Sequence, residues 1–192
     1  MHLKTSSIKG FLVLGLLAGL TIFLLPLSFA REPIRTVTGK VTKVSDGDTI
    51  QVTTKERTKL RVRLYGIDAP ETPKINQHTG RVNKPGQPYG VESWKALEGK
   101  IMGKQVRLDI LDIDKYKRMV GMIWIGNRNI NLEMVQEGYA EAYVEHLREP
   151  YRGQFLQAQG EARPDAVEAL CRQAKDQGKS AHIEVLPKGG RL

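Results

Sequence analysis

The sequence predicts a mainly β domain with helical cover, an α+β fold built on a small barrel. Five short segments are rich in β-branched residues or alternate apolar and polar residues with the period of two typical of a half-buried strand. One segment with helical spacing lies between the third and fourth of these, and further helical sequence follows the fifth. Five strands with about three helices packed on them match the OB-fold, a five-stranded barrel whose faces and loops bind nucleic acids and saccharides.

The first three predicted strands are separated by turns of recognisable chemistry. Residues 34–45 favour a strand because Val and Ile recur among Thr and Lys. Asp46-Gly47-Asp48 then forms a tight turn, since Gly tolerates positive φ and Asp caps its own backbone. Residues 49–53 form the return strand, and residues 60–65 alternate so that one face of a third strand is apolar.

A long segment without periodicity separates these strands from the rest of the barrel. Residues 66–88 carry many Gly, Pro, Asn and Thr residues and predict a long loop, which in a compact domain is usually functional or mobile. Residues 89–102 have apolar residues near helical spacing and predict a helix. Residues 105–113 and 120–125 predict the fourth and fifth strands, with a basic turn between them.

The last part of the chain is predicted to be mainly helical. Asn131 is expected to cap a short helix over residues 132–136, which a glycine then ends. Residues 139–144 are expected to be extended. Residues 147–176 are helical in type, although Pro164 must start a new helix or kink this one.

The 192 residues suffice for one compact domain. Residues 1–30 resemble a signal peptide, with two lysines, an uncharged apolar run and a small-x-small triplet before Arg31. The predicted organisation is therefore a signal peptide over 1–30, a domain over 31–178 and a basic flexible tail over 179–192. The protein is expected to be secreted or periplasmic. The alternative is an uncleaved N-terminal anchor facing outside the cytoplasm, the only case in which a membrane contact is predicted.

The composition is that of a basic globular protein. The formal net charge is +9, and apolar residues make up 40% of the chain, enough for a real core. A basic surface favours a polyanionic partner such as nucleic acid or an anionic membrane. The single cysteine, Cys171, excludes an intrachain disulfide.

Two carboxylates end neighbouring strands. Asp48 follows the first turn, and Asp68 follows the third predicted strand, so the two converge if the second and third strands pair. Close carboxylates repel each other unless a cation lies between them. Oxygen ligands indicate a hard cation such as Ca²⁺ or Mg²⁺, and no His or Cys cluster in the sequence suits zinc. The alternative is that Asp46 and Asp48 only shape the turn.

Three further residues could act on a phosphate. Glu71 follows a proline that fixes its backbone, and a carboxylate near a metal-bound water can act as a general base. A guanidinium matches two phosphate oxygens, which suits Arg63 and Arg118. On a regular strand Arg63 and Asp68 would face opposite sides, unless the turn after Gly66 re-aims the carboxylate. Alternatively, these are a solvated loop glutamate and surface arginines.

The order and spacing of these motifs over about residues 36–145 resemble the staphylococcal nuclease (thermonuclease) family. The motifs are Asp46-Gly47-Asp48-Thr49, Arg63-Leu64-Tyr65-Gly66-Ile67-Asp68-Ala69-Pro70-Glu71, Tyr89-Gly90-Val91-Glu92-Ser93 and Asp114-Lys115-Tyr116-Lys117-Arg118. The resemblance implies an OB-fold barrel and calcium-dependent hydrolysis of DNA and RNA, with products that carry 3′-phosphate ends. It also implies a nucleic-acid partner bound without strong sequence preference, and no stable protein partner is predicted.

Carried over by position, the resemblance implies a role for each motif residue. The implied calcium ligands are Asp48, Asp68 and the backbone carbonyl of Ala69; the implied general base is Glu71; the implied phosphate clamps are Arg63 and Arg118; and the implied nucleotide contacts are Tyr116 and Tyr143. The chain departs from the family where Ala69 replaces a threonine and Lys117 a glycine. It also lacks the usual Gly-Leu-Trp after the last helix.

Two other functions suit the same predicted barrel. A non-catalytic module could bind nucleic acid in the periplasm, but it would be expected to lack part of the catalytic set. A periplasmic oligosaccharide-binding barrel would need aromatic platforms, and aromatic residues make up only 6% of the chain. The complete set of acids and arginines favours a nuclease.

Overall fold

The computed structural model describes residues 32–76 and 78–162. Strands and helices follow one another in the order β1 (Arg35–Val44), β2 (Thr49–Thr54), β3 (Lys59–Leu64), β4 (Ile67–Asp68), β5 (Lys74–Ile75), β6 (Val82–Lys84), α1 (Gly90–Ile101), β7 (Gln105–Ile113), β8 (Met119–Ile125), β9 (Arg128–Asn129), α2 (Ile130–Gln136), β10 (Glu141–Ala142) and α3 (Tyr151–Glu161). The five strands predicted for the barrel correspond to β1, β2, β3, β7 and β8.

The five long strands close on themselves. They lie in the order β3-β2-β1-β7-β8, and a parallel pairing between β3 and β8 closes the sheet. The other contacts between neighbours in this ring are antiparallel. Closure removes the unpaired edges of an open sheet. The five-stranded OB-like barrel with three helices is therefore confirmed.

The core fills the barrel and continues beneath the helices. In β3, Val62 and Leu64 are buried, whereas Arg61 and Arg63 alternate with them on the other face. In α1, Leu97 and Ile101 are buried one turn apart. The side chains with no exposed surface include Val41, Val52, Val62, Leu97, Ile101, Leu108, Ile123, Met134 and Phe155.

The segment 66–88 is more ordered than the sequence predicts. It contains β4, which pairs with β10, and a separate two-stranded sheet formed by β5 and β6. Strands of two or three residues are too short to show a hydrophobic period. The structure therefore corrects the predicted long loop to a short bridge followed by a hairpin.

The predicted cap of the second helix is wrong by two residues. α2 begins at Ile130, and the side chain of Asn129 accepts a hydrogen bond from the Leu132 N–H. Asn131 instead lies inside the first turn with no exposed surface. Its side chain accepts from the Ile123 N–H and donates to the carbonyls of Tyr65 and Gly121. Asn131 thus joins α2 to β8 and to the end of β3.

Several predictions concern residues outside the described ranges. The targeting segment 1–30, Cys171, Pro164, the rest of the stretch 163–176 and the tail 179–192 all lie there. Within the described part, α3 accounts for the first portion of the helical stretch predicted over 147–176. No helix among the described residues is long and apolar enough to cross a membrane.

Candidate functional site

A cleft of about 730 Å³ opens where several turns meet at one end of the barrel. Its wall includes residues from the end of β1, the start of β2, β3, the segment after β4, α1 and the β7–β8 turn. The charged side chains around it are Lys43, Asp46, Arg61, Glu71, Lys74 and Arg118. Two of the predicted site residues, Glu71 and Arg118, therefore face the same cleft.

Asp48 is held in the wall beside this cleft. Only 2% of the residue is exposed. Its carboxylate accepts hydrogen bonds from the Thr49 hydroxyl at 3.0 Å and from the Ala69 N–H at 2.9 Å. The Leu64 N–H donates to the Asp48 carbonyl at 2.8 Å, so the turn is tied directly to β3. The Asp48 carboxylate thus joins the turn to the backbone after β4.

Arg63 lies between the carboxylates of Asp48 and Asp68. Its Nη1 pairs with Asp48, and its Nη2 lies 2.7 Å from Asp68 Oδ1 and 3.1 Å from the Ile67 carbonyl. The alternation of β3 alone would place Arg63 and Asp68 on opposite faces. Gly66, with φ of 75°, reverses this relation by turning the chain into β4. The turn brings three predicted site residues into one ion-paired group.

The environment of Asp48 disfavours its charged form. Burial, together with the neighbouring Asp46, raises the pKa of the Asp48 carboxyl to about 7. The Arg63 guanidinium and the Ala69 N–H act in the opposite direction and lower this pKa. The ion pair with Arg63 thus favours the ionised form of Asp48 in its buried position.

The backbone of Glu71 is fixed by Gln87. The Glu71 N–H donates to the Gln87 side-chain oxygen at 2.6 Å, and the Gln87 N–H donates to the Glu71 carbonyl at 2.8 Å. Gly90 packs so closely that a Cβ there would lie 2.3 Å from the Glu71 carbonyl oxygen. Lys74 lies 3.4 Å from both Glu71 and Asp46. Glu71 thus presents a partly exposed carboxylate from a rigid backbone.

Arg118 is oriented by the β7–β8 turn. Its Nε donates to Asp114 at 2.7 Å, and its N–H donates to the same carboxylate at 2.9 Å. Lys117 has φ of 60°, a left-handed conformation that favours glycine. The turn thus holds a lysine in a left-handed conformation, and Arg118 after it lines the cleft.

The two predicted tyrosines stand apart from the acids. Tyr116 is 64% exposed, and the charged ends of Lys115 and Arg118 lie 5.2 and 5.6 Å from its ring centroid. The Tyr143 N–H donates to the Gly66 carbonyl, and its ring meets that of His146 edge-on at 4.5 Å. Tyr116 accompanies Arg118, whereas Tyr143 lies by the turn that aims Asp68.

Sequence comparison identifies the family of this chain. The sequence profile described as staphylococcal nuclease homologue matches residues 61–168, more than half of the chain. The chain belongs to the staphylococcal nuclease family. Arg63, Asp68, Glu71 and Arg118 lie within the matched range, and Asp48 precedes it.

Named relatives are similar over about two thirds of the chain. An uncharacterized endonuclease of Haemophilus influenzae is 36% identical over 130 residues, which cover 68% of this chain and 64% of the relative. A probable endonuclease, LCL3, of Yarrowia lipolytica is 32% identical over 62% of this chain and 61% of its own length. A thermonuclease of Staphylococcus intermedius is 37% identical over 64% and 69%. The chain thus spans less than two thirds of the first two relatives.

The donor set of this family member fits a hard cation. Asp48, Asp68 and the carbonyl of Ala69 offer only oxygen, and one guanidinium reaches both carboxylates, so a single small cation could also lie within reach of both. Among residues 32–76 and 78–162, no group of three or more His, Cys, Asp or Glu side chains forms a metal cluster. A cation here would rely on two carboxylates, a backbone carbonyl and water.

Three residues that the sequence reasoning missed contribute to this site. Arg61 lines the cleft and shares a face of β3 with Arg63, a relation that the alternation could have revealed. Gln87 and Lys74 contact Glu71 from either end of the following segment. No local pattern indicates either contact, because both depend on the hairpin that the sequence does not reveal.

Proposed function

We propose that this chain is a calcium-dependent phosphodiesterase that hydrolyses DNA and RNA without strong sequence preference and leaves 3′-phosphate ends. The observation that carries the proposal is the group Asp48–Arg63–Asp68 beside a cleft lined by Glu71 and Arg118. Endonucleases and a thermonuclease among the relatives support it. Export from the cytoplasm through residues 1–30 belongs to the same proposal.

In this proposal Asp48, Asp68 and the Ala69 carbonyl hold Ca²⁺. When bound, the ion supplies positive charge that polarises a phosphate oxygen. A cation there would also favour the ionised form of the buried Asp48, whose carboxyl pKa its surroundings raise to about 7. Oxygen-only donors favour a hard ion over zinc.

The chain's own residues would divide the remaining chemistry. Glu71 accepts a proton from the attacking water. The two hydrogen bonds between the Glu71 backbone and Gln87 fix the position from which its carboxylate accepts that proton. Arg118 binds the phosphate and stabilises the charge that develops on it. Arg63 would also bind the phosphate and stabilise its developing charge, after its guanidinium has broken the ion pair with Asp48 or with Asp68. Tyr116 and Tyr143 flank the nucleotide.

The test compares two glutamates in the full chain. Glu71→Gln should keep the fold and lower the hydrolysis of single-stranded DNA in calcium about 10²–10⁴-fold, the range for loss of a general base. Glu56→Gln, in the exposed turn between β2 and β3, should leave the rate unchanged. Initial rates and circular dichroism measure both. Normal turnover by Glu71→Gln would remove Glu71 from this role, and binding without cleavage by the unaltered chain would favour a binding module.

A further inference from the structure

A hairpin projects from the segment beside the cleft. It consists of β5 (Lys74–Ile75) and β6 (Val82–Lys84), and we call these two strands, with the described residues 76 and 78–81 between them, the arm. The arm forms its own two-stranded sheet and shares no ladder with the barrel. It leaves the domain directly after Glu71 and returns at Gln87, which grips the Glu71 backbone. The stem of the arm is therefore next to the proposed base.

The arm is ordered by its own hydrogen bonds. The Asn76 side chain accepts from the N–H groups of His78 and Thr79, and the Asn76 N–H donates to the Arg81 carbonyl. At the stem, Gly86 packs on Pro73 so closely that a Cβ there would lie 2.5 Å from the proline ring. A two-stranded hairpin alone is marginally stable in water, and these contacts hold it in shape. A preformed arm loses little conformational entropy when it binds a ligand.

The arm exposes an apolar pair that the domain does not cover. Ile75 and Val82 are opposite each other in the ladder, so their side chains share one face. They are 57% and 58% exposed. Ile75 also lines the cleft together with Val91, which is itself 38% exposed. An apolar strip thus runs outward from the cleft along the arm.

The positions next to this apolar pair in the two strands carry cationic side chains. Lys74 and Lys84 are directly opposite each other in the ladder, and Arg81 precedes Val82. Like charges in opposite positions destabilise a hairpin. The stability of the hairpin therefore does not explain why Lys74 and Lys84 are paired. Lys74 is balanced by Asp46 and Glu71, whereas Lys84 and Arg81 are exposed on β6 and the turn. The arm therefore combines an apolar face with a positive rim.

We propose that the arm binds the unstacked bases of a nucleic-acid single strand next to the scissile phosphate. Phosphates would contact the cationic rim, and base faces would cover Ile75 and Val82. Non-specific single-strand sites combine a positive groove with aromatic platforms for bases, and here two aliphatic side chains would supply the apolar contact in place of aromatic rings. The inference rests on the proposed function, since it takes nucleic acid as the substrate and continues its cleft.

Intact duplex suits the arm less well. Stacked, paired bases expose their edges in the grooves and hide the faces that an apolar pair would cover. An anionic membrane surface is the other ligand that a basic apolar hairpin could meet. Continuity of the apolar strip with the cleft favours a nucleic-acid single strand as the ligand, because a membrane ligand gives no reason for Ile75 to line the cleft.

Binding without turnover tests this inference separately from the proposed function. Full-length chains are titrated, in chelator, into a fluorescent strand of about 12 thymidines, a length within the usual range of single-strand sites. A second strand has the same phosphates but abasic sugars. The variants are Ile75→Ser with Val82→Ser, Lys84→Gln, and Ile34→Ser as control. Ile34 is 68% exposed at the far end of β1, about 30 Å along the strand from Val44 in the cleft wall.

The double variant should raise the Kd for the thymidine strand about tenfold, a value in the lower part of the range for base contacts. It should bind the abasic strand as the unaltered chain does, and Ile34→Ser should match the unaltered chain on both strands. Lys84→Gln should weaken binding of both strands and reduce the salt dependence. Equal weakening on both strands by the double variant, or no weakening, overturns the inference. So does loss of binding to anionic vesicles with strand affinity retained.

Discussion

Gly90 offers a direct test of how the position of Glu71 is set. Gly90 is the first residue of α1, and a Cβ built there lies 2.3 Å from the Glu71 carbonyl oxygen and 2.8 Å from its carbon. Contacts under 3.0 Å are essentially absent for real Cβ atoms, so Gly90→Ala must displace that carbonyl by roughly 0.7 Å or more. A misplacement of about 1 Å can cost about 10²-fold in rate. We therefore expect kcat to fall about 10- to 100-fold.

The same helix provides the matched control. Gly99 has open space where a Cβ would be, so Gly99→Ala should keep activity and stabilise the chain by about 0.5–1 kcal/mol through helix propensity. In Gly90→Ala, overpacking of about 1–3 kcal/mol offsets that gain. Steady-state hydrolysis and urea unfolding measure both variants. Unchanged kcat in Gly90→Ala would show that the backbone of Glu71 is not held by this contact.

Two further predictions concern the backbone around the site. Lys117→Gly should raise the free energy of unfolding by about 0.5–1 kcal/mol, because it removes a lysine from a left-handed conformation. Lys115→Gly in the same turn should lower the free energy of unfolding. Equal effects of the two changes in urea unfolding would contradict this prediction. Asn131→Ala should cost about 2–5 kcal/mol, since it removes the side-chain partner of the Ile123 N–H and the Tyr65 carbonyl and one of two donors to the Gly121 carbonyl, against about 1 kcal/mol for loss of the cap in Asn129→Ala. The reverse order in thermal unfolding would restore Asn131 as the cap.

The barrel could be predicted because its strands are long enough to show a period. β3 alternates over six residues, with Val62 and Leu64 inward, and the pairing of β2 with β3 follows from the turn between them. That pairing also brings the Asp48 turn to the end of β3, where the Leu64 N–H contacts it. Closure by the parallel β3–β8 contact lies beyond such reasoning, because the two strands are far apart in sequence.

The parts of the site that could not be predicted depend on single backbone dihedrals and distant contacts. The period of β3 places Arg63 and Asp68 on opposite faces, and only the turn at Gly66 brings them together. The grip of Gln87 on Glu71 spans 16 residues and requires the arm between them. The roles proposed for these residues stay predictions, whereas their positions are those of the structure.

The most direct measurement of the central claim is the hydrolysis of single-stranded DNA and of RNA by the full chain, in millimolar calcium and then with excess chelator. Arg63 pairs with both Asp48 and Asp68 in a wall beside Glu71 and Arg118. With the function proposed for this group, we expect cleavage in calcium that leaves 3′-phosphate ends. Chelator should abolish this cleavage, and added calcium should restore it. Intact DNA and RNA in calcium, or the same rate of cleavage in chelator, would contradict the account.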